Sequence, residues 1–174
     1  MKQIQLREFK KEDWRAVHAY ASLERVCKYQ PWGPNTVEDS KAYVNGIIKD
    51  ANMIPRSRFA YAILKDDAVI GACEVNIRDQ FNQNGEIAYI LHPDWWGLGI
   101  ASETARMLLS FSFGELHLHR VSGTCDIGNI PSRRVMEKAG MNGEGLLREN
   151  LKMPDGWRDS LLFSILDRDW QQQN

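Results

Sequence analysis

The stretch of sequence that decides the fold is residues 95–103, which read Trp95-Trp96-Gly97-Leu98-Gly99-Ile100-Ala101-Ser102-Glu103. It follows a predicted strand and begins a predicted helix. Two glycines separated by one residue let the main chain approach a ligand closely. The free N–H groups at a helix start, with the helix dipole behind them, form an anion site. The stretch therefore predicts a site for a phosphate or diphosphate; the alternative is a tight strand-to-helix turn that binds nothing.

Two other phosphate-binding motifs do not match this stretch. A dinucleotide-binding fingerprint requires a third small residue at the position of Ser102 and an acidic residue about twenty positions later. That later position is occupied by His119. A P-loop requires Gly-Lys-Ser or Gly-Lys-Thr, which is absent from the stretch. The stretch alone thus indicates an anion site without identifying the ligand.

Hydrophobic periodicity on both sides of this stretch predicts seven strands and four helices. The predicted strands are residues 4–7, 59–64, 69–78, 86–91, 120–125, 144–152 and 158–166. The predicted helices are residues 11–28, 36–50, 99–113 and 131–139, the second with Thr36 as its N-cap. This order combines hairpins with βαβ crossovers. It predicts an α/β fold in which helices flank one central mixed sheet.

Composition excludes several classes of protein. The chain has 174 residues with 22 basic and 23 acidic side chains, which argues against a nucleic-acid binder. Three widely spaced cysteines argue against a disulfide framework or a zinc site, and no other metal-ligand cluster is evident. The first residues lack the apolar stretch of a signal peptide, and no run is long enough to span a membrane. We therefore expect a cytoplasmic protein with reduced thiols.

A second block, residues 129–141, reads Asn129-Ile130-Pro131-Ser132-Arg133-Arg134-Val135-Met136-Glu137-Lys138-Ala139-Gly140-Met141. Together the two blocks resemble the GNAT superfamily of acyl-CoA-dependent N-acetyltransferases. The second block matches the superfamily pattern N-x-x-S followed by E-K-x-G. Pro31-Trp32 and the late segments 144–148 and 156–159 are similar to the branch that acetylates ribosomal-protein N-termini. The resemblance extends over nearly the whole chain.

The resemblance implies one acyl-CoA N-acyltransferase domain over residues 1–174, with a splayed, mostly antiparallel central sheet and acetyl-CoA as cosubstrate. It places the coenzyme's pyrophosphate on the main-chain amides of Trp96, Gly97, Leu98, Gly99, Ile100 and Ala101. The pantetheine arm would pair with the central strand near Ile90 and Leu91 and receive a hydrogen bond from Asn129. Arg133 or Arg134 would reach the adenosine phosphate. Many relatives carry Gln or Arg where this chain has Asp94, which removes one donor near the phosphates.

The resemblance also implies direct attack of a neutral amine on the thioester. Glu86 is the expected base and a substrate-binding residue; the alternatives are that it pairs with solvent or an arginine, or that Glu149 is the base. Many relatives donate a proton to the thiolate from a tyrosine, but Met136 stands at that position. Ser132 is then the expected donor, unless it is an ordinary polar residue of a helix's first turn. A main-chain N–H near Leu91 would hold the oxyanion.

The expected acceptor is a primary amine, foremost the α-amine of a protein, with Trp32 at the acceptor site. Two other hypotheses remain open from the sequence. The first is acetylation of a small molecule such as an aminoglycoside, a polyamine or an amino acid. The second is a non-catalytic acyl-CoA-binding module. By analogy with relatives, a homodimer is possible; no nucleic acid or membrane partner is expected.

Overall fold

The computed structural model describes residues 4–173 as one seven-stranded sheet with helices on both faces. The strands are β1 (Gln5–Arg7), β2 (Arg58–Lys65), β3 (Ala68–Asp79), β4 (Asn84–Leu91), β5 (Arg120–Asp126), β6 (Asn142–Met153) and β7 (Gly156–Leu166). The helices are α1 (Trp14–Ala21), α2 (Glu24–Cys27), α3 (Val37–Ala51), α4 (Ile100–Gly114), α5 (Ile130–Lys138) and α6 (Asp167–Gln173). Short 3-10 turns precede α1 and follow β4. Residues 1–3 and 174, part of the predicted domain, lie outside the described residues.

The sheet has the strand order β1-β2-β3-β4-β5-β7-β6, and its neighbours are antiparallel except for β4 and β5. The single parallel pair arises because α4 connects these two strands as a crossover. The predicted mixed, mostly antiparallel sheet flanked by helices is therefore confirmed, as are all seven strands.

The helices differ from the prediction in two places. The predicted helix over residues 11–28 is wrong, because the helical run is interrupted between α1 and α2. The Ser22 amide and hydroxyl both donate to the His18 carbonyl, and Leu23 is extended with φ −91°. A serine that bonds to its own backbone competes with helix continuation in this way. The second difference is the C-terminal helix α6, which the sequence prediction omits.

The Thr36 cap of α3 is confirmed. Its hydroxyl accepts a hydrogen bond from the Asp39 amide at 3.1 Å, and the Asp39 carboxylate accepts from the Thr36 amide at 2.9 Å. The Thr36 hydroxyl also donates to that carboxylate at 2.7 Å, and this bond, together with the bond from the Thr36 amide, lowers the pKa of Asp39. The reciprocal pair fixes the start of a helix that packs over one end of the sheet.

Two hydrophobic clusters lie on opposite faces of the sheet. One is formed by α1, α3 and small strand residues, with Val44 and Ile47 fully buried. The other is formed by α4, α5 and the facing side chains of β3, β4, β5 and β7, with Leu108, Leu109 and Val121 fully buried. No helix within residues 4–173 is both long and apolar enough to cross a membrane.

The sheet divides at its centre. β4 and β5 pair only over Asn84–Glu86 and Arg120–Ser122, although both strands continue for several residues. β4 stays paired with β3 as far as Leu91, and β5 stays paired with β7 as far as Asp126. Each strand is thus held by its outer neighbour while its inner edge is open. We call this opening the cleft.

The close packing of β3 against β4 predicts that alanine substitutions at two glycines change the stability of the protein in opposite directions. A Cβ at Gly71 would overlap the Ile90 carbonyl oxygen and lie 2.8 Å from Leu91 Cδ2, whereas one at Gly46 in α3 would meet nothing within 4 Å. Gly71→Ala should therefore lower the free energy of unfolding by about 2 kcal/mol through strain on β4. Gly46→Ala should raise it by about 1 kcal/mol, since alanine is the better helix former. Denaturant unfolding of the two variants measures both; equal stabilities would contradict the close packing of β3 and β4.

Candidate active site

The loop that begins α4 leaves its main-chain amides open. Gly97 and Gly99 have φ values of 76° and 80°, a left-handed conformation that favours glycine. No side chain caps the helix at Gly99, and the Glu103 amide is the first to bond back into the turn, at 3.1 Å to the Gly99 carbonyl. Among the described residues, the amides of residues 97–101 have no hydrogen-bond partner. Open amides at the start of a helix favour an anion, and these are the amides that the sequence predicts for that role.

The edge of β4 that faces the cleft belongs to Tyr89 and Leu91. The His92 amide donates to the Ile70 carbonyl of β3 at 2.8 Å, and antiparallel ladders alternate bonded and non-bonded pairs. Ile90, opposite Ala72 in the register, therefore turns its main-chain groups towards β3. Tyr89 and Leu91 turn theirs towards the cleft. Of the two residues expected to pair with the pantetheine arm, only Leu91 directs its main-chain groups into the cleft.

Trp96 joins the loop to this edge. Its indole N–H donates to the Leu91 carbonyl at 2.9 Å, although almost half of the side chain is exposed. The bond satisfies the Leu91 carbonyl and leaves the Leu91 N–H available in the cleft. It also fixes the distance between the anion site and the strand edge. Neighbouring Trp95 packs against the hydrophobic cluster beneath α4.

The far wall of the cleft is the first turn of α5. The Asn129 side-chain oxygen accepts a hydrogen bond from the Ser132 amide at 3.2 Å, which leaves the Asn129 NH₂ group without a partner among the described residues. The Tyr89 hydroxyl lies within hydrogen-bond distance of two Ser132 oxygens, the hydroxyl oxygen at 3.1 Å and the carbonyl oxygen at 3.2 Å. This contact joins the two sides of the cleft. Burial raises the Tyr89 pKa well above its ordinary value, so the phenol stays protonated.

Met136 and Arg133 have different surroundings. Met136 is buried at the closed end of the cleft, where a Cβ on Gly123 would lie 3.1 Å from its sulfur and 3.7 Å from the Ile87 carbonyl oxygen. Its thioether fills the place where β4 and β5 diverge and offers no proton.

Arg133 is half exposed and pairs with Glu137 at 2.8 Å on the same helix. An adenosine phosphate would have to compete with that carboxylate for Arg133.

A second cavity, of about 580 Å³, opens on the α1 and α3 face of the sheet. Residues 88–90 of β4 line it and also border the cleft, so the two spaces share one strand segment. Trp32, predicted to lie at the acceptor site, and Tyr43 line this cavity. The charged side chains of its lining are Asp39, Arg58 and Glu74.

Glu86 lies at the closed end of the cleft, on the last residue of β4 that pairs with β5. Its Oε2 accepts from Arg78 Nε at 2.8 Å, and its Oε1 has no partner among the described residues. It does not line the cavity. Glu74 does line the cavity. Its carboxylate accepts two hydrogen bonds from Arg58, at 2.9 and 2.6 Å, and one from the Asn76 side chain at 2.8 Å. Glu149 is exposed and has φ 48° on a strand irregularity near the hairpin end.

Sequence reasoning missed Tyr89 and Glu74. Glu74 gave a signal, because it is the one charge in the apolar run from Ala68 to Ile77. Tyr89 gave none, because its partner Ser132 is 43 residues away in the chain. Within residues 4–173 no three His, Cys, Asp or Glu side chains converge as a metal site would require.

Comparison with known proteins agrees with this geometry. The sequence model of the Acetyltransferase (GNAT) domain matches residues 3–142. The chain belongs to the GNAT family. It is 36% identical over 170 residues to the uncharacterized N-acetyltransferase YnaD of Bacillus subtilis, covering 97% of this chain and 96% of YnaD. A GNAT acetyltransferase from Bacillus anthracis superposes with a TM-score of 0.83 at 32% identity, covering 96% of both chains.

The names of two more distant relatives give two different acceptors. The [ribosomal protein uS5]-alanine N-acetyltransferase of Escherichia coli is 24% identical over 92% of this chain and 85% of its own. The spermidine N(1)-acetyltransferase of the same species is 22% identical over 96% and 88%. The predicted family and activity are thus confirmed: this GNAT protein is an acetyl-CoA-dependent N-acetyltransferase. Its acceptor is a separate question.

The left-handed glycine at the start of α4 generates a prediction about coenzyme binding. Gly99→Ala should weaken coenzyme A binding about 10-fold, because a Cβ at φ 80° costs roughly 1–2 kcal/mol and rotates the amides away. No atom within 4 Å would clash with the new Cβ, so the fold should persist. Gly114→Ala, at the far end of α4 and equally unobstructed, is the matched control. Calorimetric titration with coenzyme A measures both; an unchanged dissociation constant for Gly99→Ala would contradict the role of this loop.

Proposed function

We propose that this enzyme transfers the acetyl group of acetyl-CoA to the α-amine of a protein chain. The observation that carries the proposal is the segment 88–90, which borders both the cleft with its open amides and the cavity that contains Trp32. An amine seated in the cavity would meet the thioester at that segment. Holding the two reactants there lowers the entropic cost of the reaction.

The charges of the cavity favour an acceptor with one positive charge. Arg58 pairs with Glu74 and also with Asp50, which leaves Asp39 as the carboxylate of the lining that is not paired with a cation. A polyamine carries several charges and would be matched by several unpaired carboxylates. A single ammonium group beside Tyr43 and Trp32 suits one carboxylate and aromatic rings.

An α-amine also simplifies the chemistry. Its pKa is about 7.7–8.0, against about 10.4 for a lysine side chain, so more of it is neutral at pH 7. Glu86 is the proposed base and takes the amine proton through water at its free Oε1. The Leu91 N–H donates to the thioester oxygen as negative charge develops there. Ser132 donates a hydrogen bond to the departing sulfur, which leaves as a thiolate while Glu86 holds the proton that the nitrogen has lost.

An acceptor panel tests the proposed function. Peptides with a free N-terminus, the same peptides with a blocked N-terminus and a free lysine, and spermidine are each incubated with acetyl-CoA while coenzyme A thiol is followed. We expect turnover with the free N-terminus at a kcat/KM at least about 10-fold above that of the other acceptors, because the α-amine is more often neutral. Turnover on spermidine alone would support the small-molecule alternative. Coenzyme binding without turnover on any acceptor would overturn the α-amine proposal.

The role of Glu86 has its own pH test. Glu86→Gln should lower kcat/KM about 10-fold or more at pH 6 and much less at pH 9, because a base matters most while the amine is protonated. Arg78→Gln is the control, since it removes the ion-pair partner and keeps the carboxylate. A pH profile identical to that of the unaltered enzyme would remove Glu86 from the mechanism. A parallel change in Arg78→Gln would attribute the effect to the lost ion pair.

A further inference from the structure

The Ser132 hydroxyl is unusual because its own helix leaves it unengaged. A serine inside a helix can bond to the carbonyl four residues earlier, which for Ser132 is the carbonyl of Gly128. That carbonyl already accepts from the Tyr29 hydroxyl at 3.1 Å and from the Ile130 amide at 3.0 Å. The one described partner of the Ser132 hydroxyl is Tyr89, at 3.1 Å. Its orientation therefore depends on the opposite wall of the cleft.

Tyr89 is suited to orient it. The ring lies on β4 and packs against the α4 and α5 cluster, so it has little freedom to move. Its hydroxyl reaches both the hydroxyl and the carbonyl of Ser132. A protonated phenol has one hydrogen to donate, and a serine hydroxyl that accepts it has its own hydrogen left to give elsewhere.

We propose that Tyr89 is a positioning residue for acetyl transfer, which holds the Ser132 hydroxyl so that its hydrogen points to the departing sulfur. The inference rests on the proposed role of Ser132. As the carbon–sulfur bond breaks, negative charge collects on sulfur, and Ser132 donates a hydrogen bond to it. In this arrangement Tyr89 gives its one hydrogen to the Ser132 hydroxyl oxygen, at 3.1 Å, rather than to the Ser132 carbonyl, and this strengthens the bond to sulfur without moving a proton off the phenol. The tyrosine thus supports a donor on the neighbouring helix, where Met136 supplies none.

A double-mutant cycle tests the proposal. Tyr89→Phe keeps the ring and removes the hydroxyl, and should lower kcat on the order of 5-fold, the worth of one hydrogen bond, with KM for acetyl-CoA unchanged. In a Ser132→Ala background the same change should have no further effect, because Tyr89 acts through Ser132. Tyr61→Phe is the matched control. Tyr61 is a half-buried tyrosine on β2 that packs against Phe111, away from the cleft.

Several results would overturn the proposal. They are an unchanged kcat in Tyr89→Phe, an equal loss in the Ser132→Ala background, or an unchanged kcat in Ser132→Ala alone. If the unaltered enzyme binds coenzyme A and acetylates no amine, the proposed function fails, and Tyr89 loses its role with it. Turnover by the unaltered enzyme together with any of the first three results rejects the role of Tyr89 alone.

A second measurement covers the case that Tyr89→Phe is too unstable to assay. Difluorotyrosine placed at position 89 keeps the ring and the hydroxyl but makes the phenol more acidic. Because a phenolate cannot donate a hydrogen bond, the alkaline decline of kcat should begin at lower pH than in the unaltered enzyme. An unchanged pH profile of kcat would overturn the proposal.

Discussion

The structure depends on the separation of β4 from β5 beyond Glu86 and Ser122. Unpaired strand edges within a sheet are costly unless their N–H and C=O groups find partners. Here the outer neighbours β3 and β7 hold the two strands, so the sheet survives the gap, and the Met136 thioether fills its closed end. The open edge then offers the main chain of Tyr89 and Leu91 to a ligand. Binding by main-chain groups needs no special side chains, so we expect coenzyme binding to survive Asp94 at this position.

The anion site and the strand edge are one unit rather than two. The chain passes from Leu91 through a short turn to Gly97 and Gly99, whose left-handed φ values aim the free amides of α4. Trp96 ties this loop back to Leu91 by an indole hydrogen bond. A coenzyme with a diphosphate at one end and an amide-containing arm at the other matches that arrangement, with the diphosphate on α4 and the arm along β4. In this proposed arrangement the thioester end would reach residues 88–90, which also line the cavity beside α1 and α3.

Local sequence predicted much of this, because glycine, proline and capping residues act within a few positions. The seven strands, the Thr36 cap and the open loop before α4 follow from such signals. What sequence could not supply was register and long-range contact. Alternation alone does not say whether Ile90 or its neighbours face the cleft; that follows from the Ile70–His92 hydrogen bond. The Tyr89–Ser132 contact and the Arg78–Glu86 pair across a hairpin likewise depend on neighbours that no local pattern identifies.

The most direct test of the central claim is an amide NMR titration of the ¹⁵N-labelled protein with coenzyme A and, separately, with pantetheine, which lacks the diphosphate. The account predicts large downfield shifts of the amide protons of residues 97–101 with coenzyme A and little change there with pantetheine, while Leu91 responds to both. Binding of coenzyme A that leaves the amides of residues 97–101 unshifted would contradict it, as would a lack of binding.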